Sequence, residues 1–108
     1  MQQSNLVYCV ECECGDKYIG QTKRRLEARL HDHKYHIGVR NINHSALCKH
    51  SIENHHVPKW DETCVLALEK TQKKRDILEM IEIKKEERAI NKQTDSLLLS
   101  NVYNNLIL

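Results

Sequence analysis

The chain has 108 residues, of which 40% are hydrophobic and 30% charged, and a formal net charge of +2. That is the size of one domain with a core of its own, so residues 1–108 are read as a single domain. No apolar run approaches the roughly 18 residues of a membrane span. No charged and apolar leader is visible at the start, so neither membrane nor secretory path is expected. Five cysteines, an odd number, argue for free thiols or metal ligands rather than a disulfide framework.

Leu6-Val7-Tyr8-Cys9-Val10 predicts a short buried strand. Gly15-Asp16 marks a turn, so Lys17 to Gly20 should return as the second strand of a hairpin. Thr22 is the expected cap of the next helix, whose apolar face is Leu26, Leu30, His33 and Ile37, and Gly38 should end it. A short helix should follow from Ser45, a capping residue, to about Asn54, with Pro58 breaking the chain beyond. Thr63 to Glu69 reads as a mostly buried strand. Thr71 to about Arg88 reads as a long helix carrying Ile77, Leu78, Met80, Ile81 and Ile83. The tail is apolar in patches, at Leu97-Leu98-Leu99 and from Val102 to Leu108. The order β-β-α-α-β-α implies an α+β domain, a small antiparallel sheet of about three strands flanked by helices.

Charge is unevenly distributed. Residues 17–40 carry seven bases against two acids, and residues 70–92 carry eight bases against five acids. Both segments contain a predicted helix, and together they could form one basic face for nucleic acid. The candidate contacts are Lys17, Lys23, Arg24 and Arg25 in the first segment, and Lys73, Lys74 and Arg75 in the second.

The spacing of chemistry-bearing residues is more specific. Tyr18 follows Tyr8 by ten residues, Arg29 follows Tyr18 by eleven, and His33 comes four later. Tyr8 alone would be an ordinary core tyrosine. Arg29 flanks the apolar stripe of its helix, where its stem can lie on apolar surface while its planar fork meets a phosphate. His33 lies within that stripe. Glu79 sits beside the apolar face of the last helix, where a carboxylate can hold a hard cation. Cutting a phosphodiester needs these kinds of group: a base for water, positive charge for the phosphoryl oxygens and a metal for the leaving oxygen.

A second constellation joins Cys12 and Cys14 at the hairpin turn to His50 and either His55 or His56 around the short helix. Two thiolates with two imidazoles make a tetrahedral zinc set. Cys9, Cys48 and Cys64 read as small buried thiols in apolar elements.

Taken together, these motifs resemble the GIY-YIG nuclease superfamily and, within it, the endonuclease domain of Penelope-like retroelements. The resemblance runs through Tyr8, Cys12-Glu13-Cys14-Gly15, Tyr18-Ile19-Gly20-Gln21-Thr22, Arg24 and Leu26-Glu27-Ala28-Arg29. It continues with His33, Ser45-Ala46-Leu47-Cys48-Lys49-His50, His56, Arg75 to Glu79, Asn91 and Leu99-Ser100-Asn101-Val102-Tyr103. One motif departs: Leu6-Val7-Tyr8 stands where the family has Gly-Ile-Tyr.

The resemblance implies the GIY-YIG fold and a metal-dependent endonuclease that nicks double-stranded DNA. Tyr8 would be the general base, directly or through a water, and Tyr18 would orient water or phosphate. Arg29 would stabilise transition-state charge, with His33 in support. Glu79 would hold Mg²⁺ or Mn²⁺, and Asn91 would hold the late loop against the site. Cys12, Cys14, His50 and His56 would hold a structural Zn²⁺. A reverse transcriptase domain in the same polyprotein would be the partner that extends the nick, and the setting would be nuclear. The alternative is a catalytically weakened, zinc-stabilised nucleic-acid-binding module.

Overall fold

Residues Leu6 to Val10 are apolar throughout, and such a strand is stable only with both faces covered. In the computed structural model, which describes residues 3–91, all five are buried. They belong to β1 (Leu6–Glu11), followed by β2 (Lys17–Thr22), α1 (Leu26–Gly38), α2 (Ala46–Asn54), a short 3-10 turn (Trp60–Glu62), β3 (Cys64–Leu68) and α3 (Gln72–Lys85). The strands form one antiparallel sheet in the order β2-β1-β3, so β1 lies in the middle. This is the expected α+β layout.

Alternation along β1 divides the core in two. Leu6, Tyr8 and Val10 join Tyr18, Leu26 and Leu47 on one face, the side of α1 and α2. Val7 and Cys9 join Ile19 and Ile83 on the other, under α3. Each fully buried Leu or Val contributes about 1.5–3 kcal/mol relative to exposure. Gly15 takes a φ of +95° in the β1–β2 turn, a conformation costly for any residue with a Cβ. The turn is closed by Cys12 N to Asp16 O at 2.7 Å and Gly15 N to Cys12 O at 2.9 Å.

Several local expectations need correction. Thr22 ends β2 rather than capping α1. Its hydroxyl accepts from Arg24 N at 3.0 Å, and the residue flanking α1 is Arg25, which has no side-chain cap bond. β3 is not mostly buried: Cys64, Leu66 and Leu68 are exposed, because α3 packs over β2 and β1 rather than over β3. α3 stops at Lys85, three residues short of the expected end. The chain then turns alongside β2, with Lys17 N to Arg88 O at 2.9 Å and Ile90 N to Lys17 O at 2.7 Å. The apolar tail and the segment Leu99 to Tyr103 lie outside the described residues.

Arg75 is the clearest correction. It was expected on a DNA-facing surface, yet it is 2% exposed. Its guanidinium donates to Gln21 Oε1 at 3.2 Å, Asn5 Oδ1 at 3.2 Å, Glu69 O at 3.0 Å, Lys70 O at 2.9 Å and Gln72 Oε1 at 2.6 Å. With its donors taken up inside the protein, it is a clamp between the ends of β2 and β3 and the start of α3. Arg75→Met keeps the stem and strips those acceptors of their donor. It should lower unfolding free energy in urea by about 3 kcal/mol. Lys73→Met and Lys74→Met, both at exposed positions, should change it by less than about 0.5 kcal/mol. Equal effects from all three would contradict the clamp.

Candidate functional site

Tyr8 pairs with Gly20 across β1 and β2. Its ring crosses that glycine so closely that an added Cβ would lie 2.7 Å from the Tyr8 hydroxyl and 2.9 Å from the Tyr18 ring. The glycine of Tyr18-Ile19-Gly20 is therefore the gap through which the first tyrosine reaches the second. The ring centroids are 6.3 Å apart.

His33 completes a cluster of three rings. Its centroid lies 6.2 Å from Tyr8 and 5.4 Å from Tyr18, both in edge-on geometry. It is fully buried, with Nε2 2.8 Å from the Tyr8 hydroxyl and Nδ1 3.2 Å from Ser45 Oγ. Ser45 also caps α2 as expected, accepting from Cys48 N at 3.2 Å. Arg29 stands one turn before His33 on α1, close enough to Tyr8 for its charge to act on the hydroxyl. Glu79, half-buried on α3, is close enough for its charge to act on Tyr8. Asn91 is buried and donates to Ile19 O at 2.7 Å, fastening the segment after α3 to β2. The described residues thus bring Tyr8, Tyr18, Arg29 and His33 together, with Glu79 near Tyr8.

His44 belongs to this cluster and was missed as a site residue. Its Nε2 accepts from Arg29 Nη1 at 3.4 Å, and its ring stacks on His36 at 3.8 Å between centroids. The loop between α1 and α2 brings it there, and no local periodicity marks the position.

Burial governs the protonation states. It pushes the Tyr8 hydroxyl far above the ordinary tyrosine range, Tyr18 adds to that, and Arg29 opposes it. Burial also works against charge on Arg29, yet Tyr8 and Tyr18 hold its pKa up, so it stays cationic. Burial, then Arg29 and His44, push His33 down to about 3. Its imidazole is therefore neutral, with one ring nitrogen donating and the other accepting. Either Tyr8 donates to Nε2, or Nε2–H donates to Tyr8 while Ser45 donates to Nδ1. Only the second stabilises an anionic Tyr8 oxygen.

The cysteine–histidine group also assembles. Ligand atoms of Cys12, Cys14, His50 and His56 all lie within 4.8 Å of one another, so these four residues could hold a metal ion. Cys14 Sγ is 3.3 Å from His50 Nε2, which is 3.4 Å from His56 Nδ1. A zinc tetrahedron with bonds of about 2.0–2.3 Å sets its ligands about 3.3–3.8 Å apart, and these separations fit. Burial and the neighbouring Cys14 thiol both push the Cys12 thiol up, so thiolates here call for a cation. Burial pushes His50 down against the pull of Asp16, with His56 assisting, which favours the neutral form that ligates.

Local backbone selects His56 over His55. His55 ends α2 in the left-handed conformation and is exposed. The chain then turns back, with His56 N to Ser51 O at 3.1 Å and Ser51 Oγ donating to His56 O at 2.6 Å. Glu13 N to Val57 O at 3.1 Å and Lys59 N to Glu11 O at 2.8 Å sew this segment to the hairpin. A second group, His33, His44 and Cys48, also has ligand atoms within 4.8 Å. Both His33 nitrogens are already committed there to Tyr8 and Ser45.

Of the basic candidates, Lys23, Arg24, Arg25, Lys73 and Lys74 are exposed. Arg24 pairs with Asp32, and Lys17 lies 3.6 Å from Glu86. Gln21 joins the two basic segments: its side chain bonds Gln72, Arg75 and Asp76 at the start of α3. Among the described residues no helix is long and apolar enough to cross a membrane. No protein-family model, curated protein or solved structure matches the chain.

The neutral, buried His33 has a consequence for acid stability. Its pKa is depressed on folding, so between about 6.5 and 3 the unfolded chain takes up a proton that the folded one refuses. Stability should fall with pH through that window, by up to about 1.4 kcal/mol per pH unit for this one group. In His33→Gln the fall should be shallower by that amount, read from urea unfolding at successive pH values. Identical pH slopes would mean that His33 titrates freely.

Proposed function

We propose that this chain is a GIY-YIG-type, metal-dependent DNA endonuclease that nicks duplex DNA by phosphodiester hydrolysis, in the Penelope-like retroelement class. The observation that carries the reading is the convergence of Tyr8, Tyr18, Arg29 and His33 on one point, with Glu79 near enough to act on Tyr8. These residues lie far apart in the chain, and each supplies a group that phosphodiester cleavage uses. Leu6, where the family has glycine, is fully buried in the core beside Leu26 and Leu47, so the departure is absorbed by packing.

In this reading Arg29 holds the non-bridging phosphate oxygens and the charge they gain in the transition state. Tyr8 first loses its own proton to solvent; as the phenolate it takes a proton from the attacking water, directly or through a second water, and Tyr18 orients that water or the phosphate. The anionic Tyr8 oxygen is held by Arg29 and by Nε2–H of His33, whose Nδ1 accepts from Ser45. Glu79 would hold Mg²⁺ or Mn²⁺, hard cations that take carboxylate oxygen. The chemistry such a cation supplies is stabilisation of the leaving oxygen. Lys23, Arg24, Arg25, Lys73 and Lys74 would contact DNA phosphates. In a retroelement the nick would prime a reverse transcriptase domain on nuclear DNA.

Supercoiled-plasmid nicking tests this directly. The protein should nick with Mg²⁺ and not after its removal. Glu79→Ala and Arg29→Ala should lose about 10²–10³ in rate while remaining folded. Tyr8→Phe, which removes only the hydroxyl, should lose rate similarly. Wild-type rates in folded Glu79→Ala would refute the cation site. Salt-dependent DNA binding without nicking by the wild type would favour the binding module.

We propose zinc as the ion of the Cys12, Cys14, His50 and His56 group. Elemental analysis should find about one zinc per chain, and chelation should lower the melting temperature because structural zinc contributes to folding. Zinc-free protein with an unchanged melting temperature would overturn the assignment.

A further inference from the structure

Cys9 and Cys64 have no part in either site above. Cys9 lies on the α3 face of β1, the face opposite Tyr8. It is directly opposed to Cys64 across the β1–β3 pairing. Opposed residues of an antiparallel pair project from the same face, with Cα atoms about 4.5 or 5.5 Å apart. A disulfide spans about 4.4–6.8 Å between Cα atoms, a range that covers both spacings, and the two thiols are close enough to act on each other. Both thiols line one groove, together with Lys17, Ile19 and Leu66, Glu82 of α3 and Glu86 just beyond it. Cys64 is exposed, whereas Cys9 is 9% exposed.

We infer that Cys9 and Cys64 form a cross-strand dithiol site whose substrate is a low-molecular-weight disulfide, with which it exchanges to close a Cys9–Cys64 bond. Cys64, the accessible member, attacks one sulfur of the small disulfide, forming a mixed disulfide and expelling one thiol. Cys9 then attacks Cys64 Sγ, forming the internal bond and expelling the second thiol. The two cysteines lose two electrons and two protons, and the small disulfide becomes two thiols. The order follows from access and chemistry. Burial, and then the neighbouring Cys64, push the Cys9 thiol up to about 11, so Cys9 is a poor first nucleophile. Once Cys64 carries the mixed disulfide, its electrophilic sulfur is held beside Cys9 by the strand register.

The bond would tie β3 to the central strand one residue from Tyr8. It would close a loop of more than fifty residues, which restricts the unfolded chain.

The test treats the whole zinc-supplemented chain with hydroxyethyl disulfide, a neutral probe, and maps the cysteines by mass spectrometry without reduction. Wild type should lose two hydrogens, yield a linked Cys9–Cys64 peptide and melt at a higher temperature, with all three reversed by dithiothreitol. Cys64→Ser should give none of these. Cys9→Ala, checked for folding by circular dichroism, should stop at a mixed disulfide on Cys64. A wild-type protein that stops at the mixed disulfide, links other cysteines instead or does not react would overturn the site.

Discussion

A tyrosine hydroxyl buried on a central strand must find a partner, and meeting that need organises this molecule. Tyr8 is fully buried, and its hydroxyl is matched at 2.8 Å by His33. His33 is in turn matched by Ser45, whose oxygen also caps α2. One chain of polar contacts therefore fixes β1, α1 and α2 relative to one another in an otherwise apolar interior. Each member is costly to leave unpaired, which makes the arrangement specific. The same chain sets the protonation state of the candidate site, because the burial that demands the bonds also keeps the imidazole neutral and Tyr8 protonated.

Two clamps hold this centre in place. Backbone bonds from Val57 and Lys59, with Cys14 Sγ 3.3 Å from His50 Nε2, join the hairpin to the end of α2, where Cys12, Cys14, His50 and His56 could hold a metal ion. Arg75 joins the ends of β2 and β3 to the start of α3, the helix that carries Glu79. Both clamps link segments far apart in sequence, and both stand beside the functional cluster rather than within it. The candidate site is thus supported from two sides by groups that need not touch a substrate.

Much of this was legible in the sequence where a rule is local. The hairpin followed from Gly15, the cap of α2 from Ser45, and the α1 stripe from the spacing of Leu26, Leu30, His33 and Ile37. The ten-residue step from Tyr8 to Tyr18 is the length of a hairpin, so their approach was readable too. What failed depends on distant neighbours. Arg75 looks like any basic helix residue until Asn5, Gln21, Glu69 and Lys70 surround it. β3 reads as buried because composition does not say which strand the helices leave uncovered. His44 reaches Arg29 only through the return of the α1–α2 loop, and the choice of His56 over His55 rests on one left-handed residue. Thr22 has the right chemistry for a cap but lies within the strand, so its hydroxyl serves a turn.

The central claim is that water, activated beside Tyr8, attacks phosphorus and leaves a free DNA hydroxyl. Its most direct measurement is mass spectrometry of the two DNA ends after nicking in heavy-oxygen water. The account predicts one heavy oxygen on the 5′ phosphate and an unlabelled 3′ hydroxyl. A tyrosine covalently joined to DNA, or a phosphate left on the 3′ side, would contradict it.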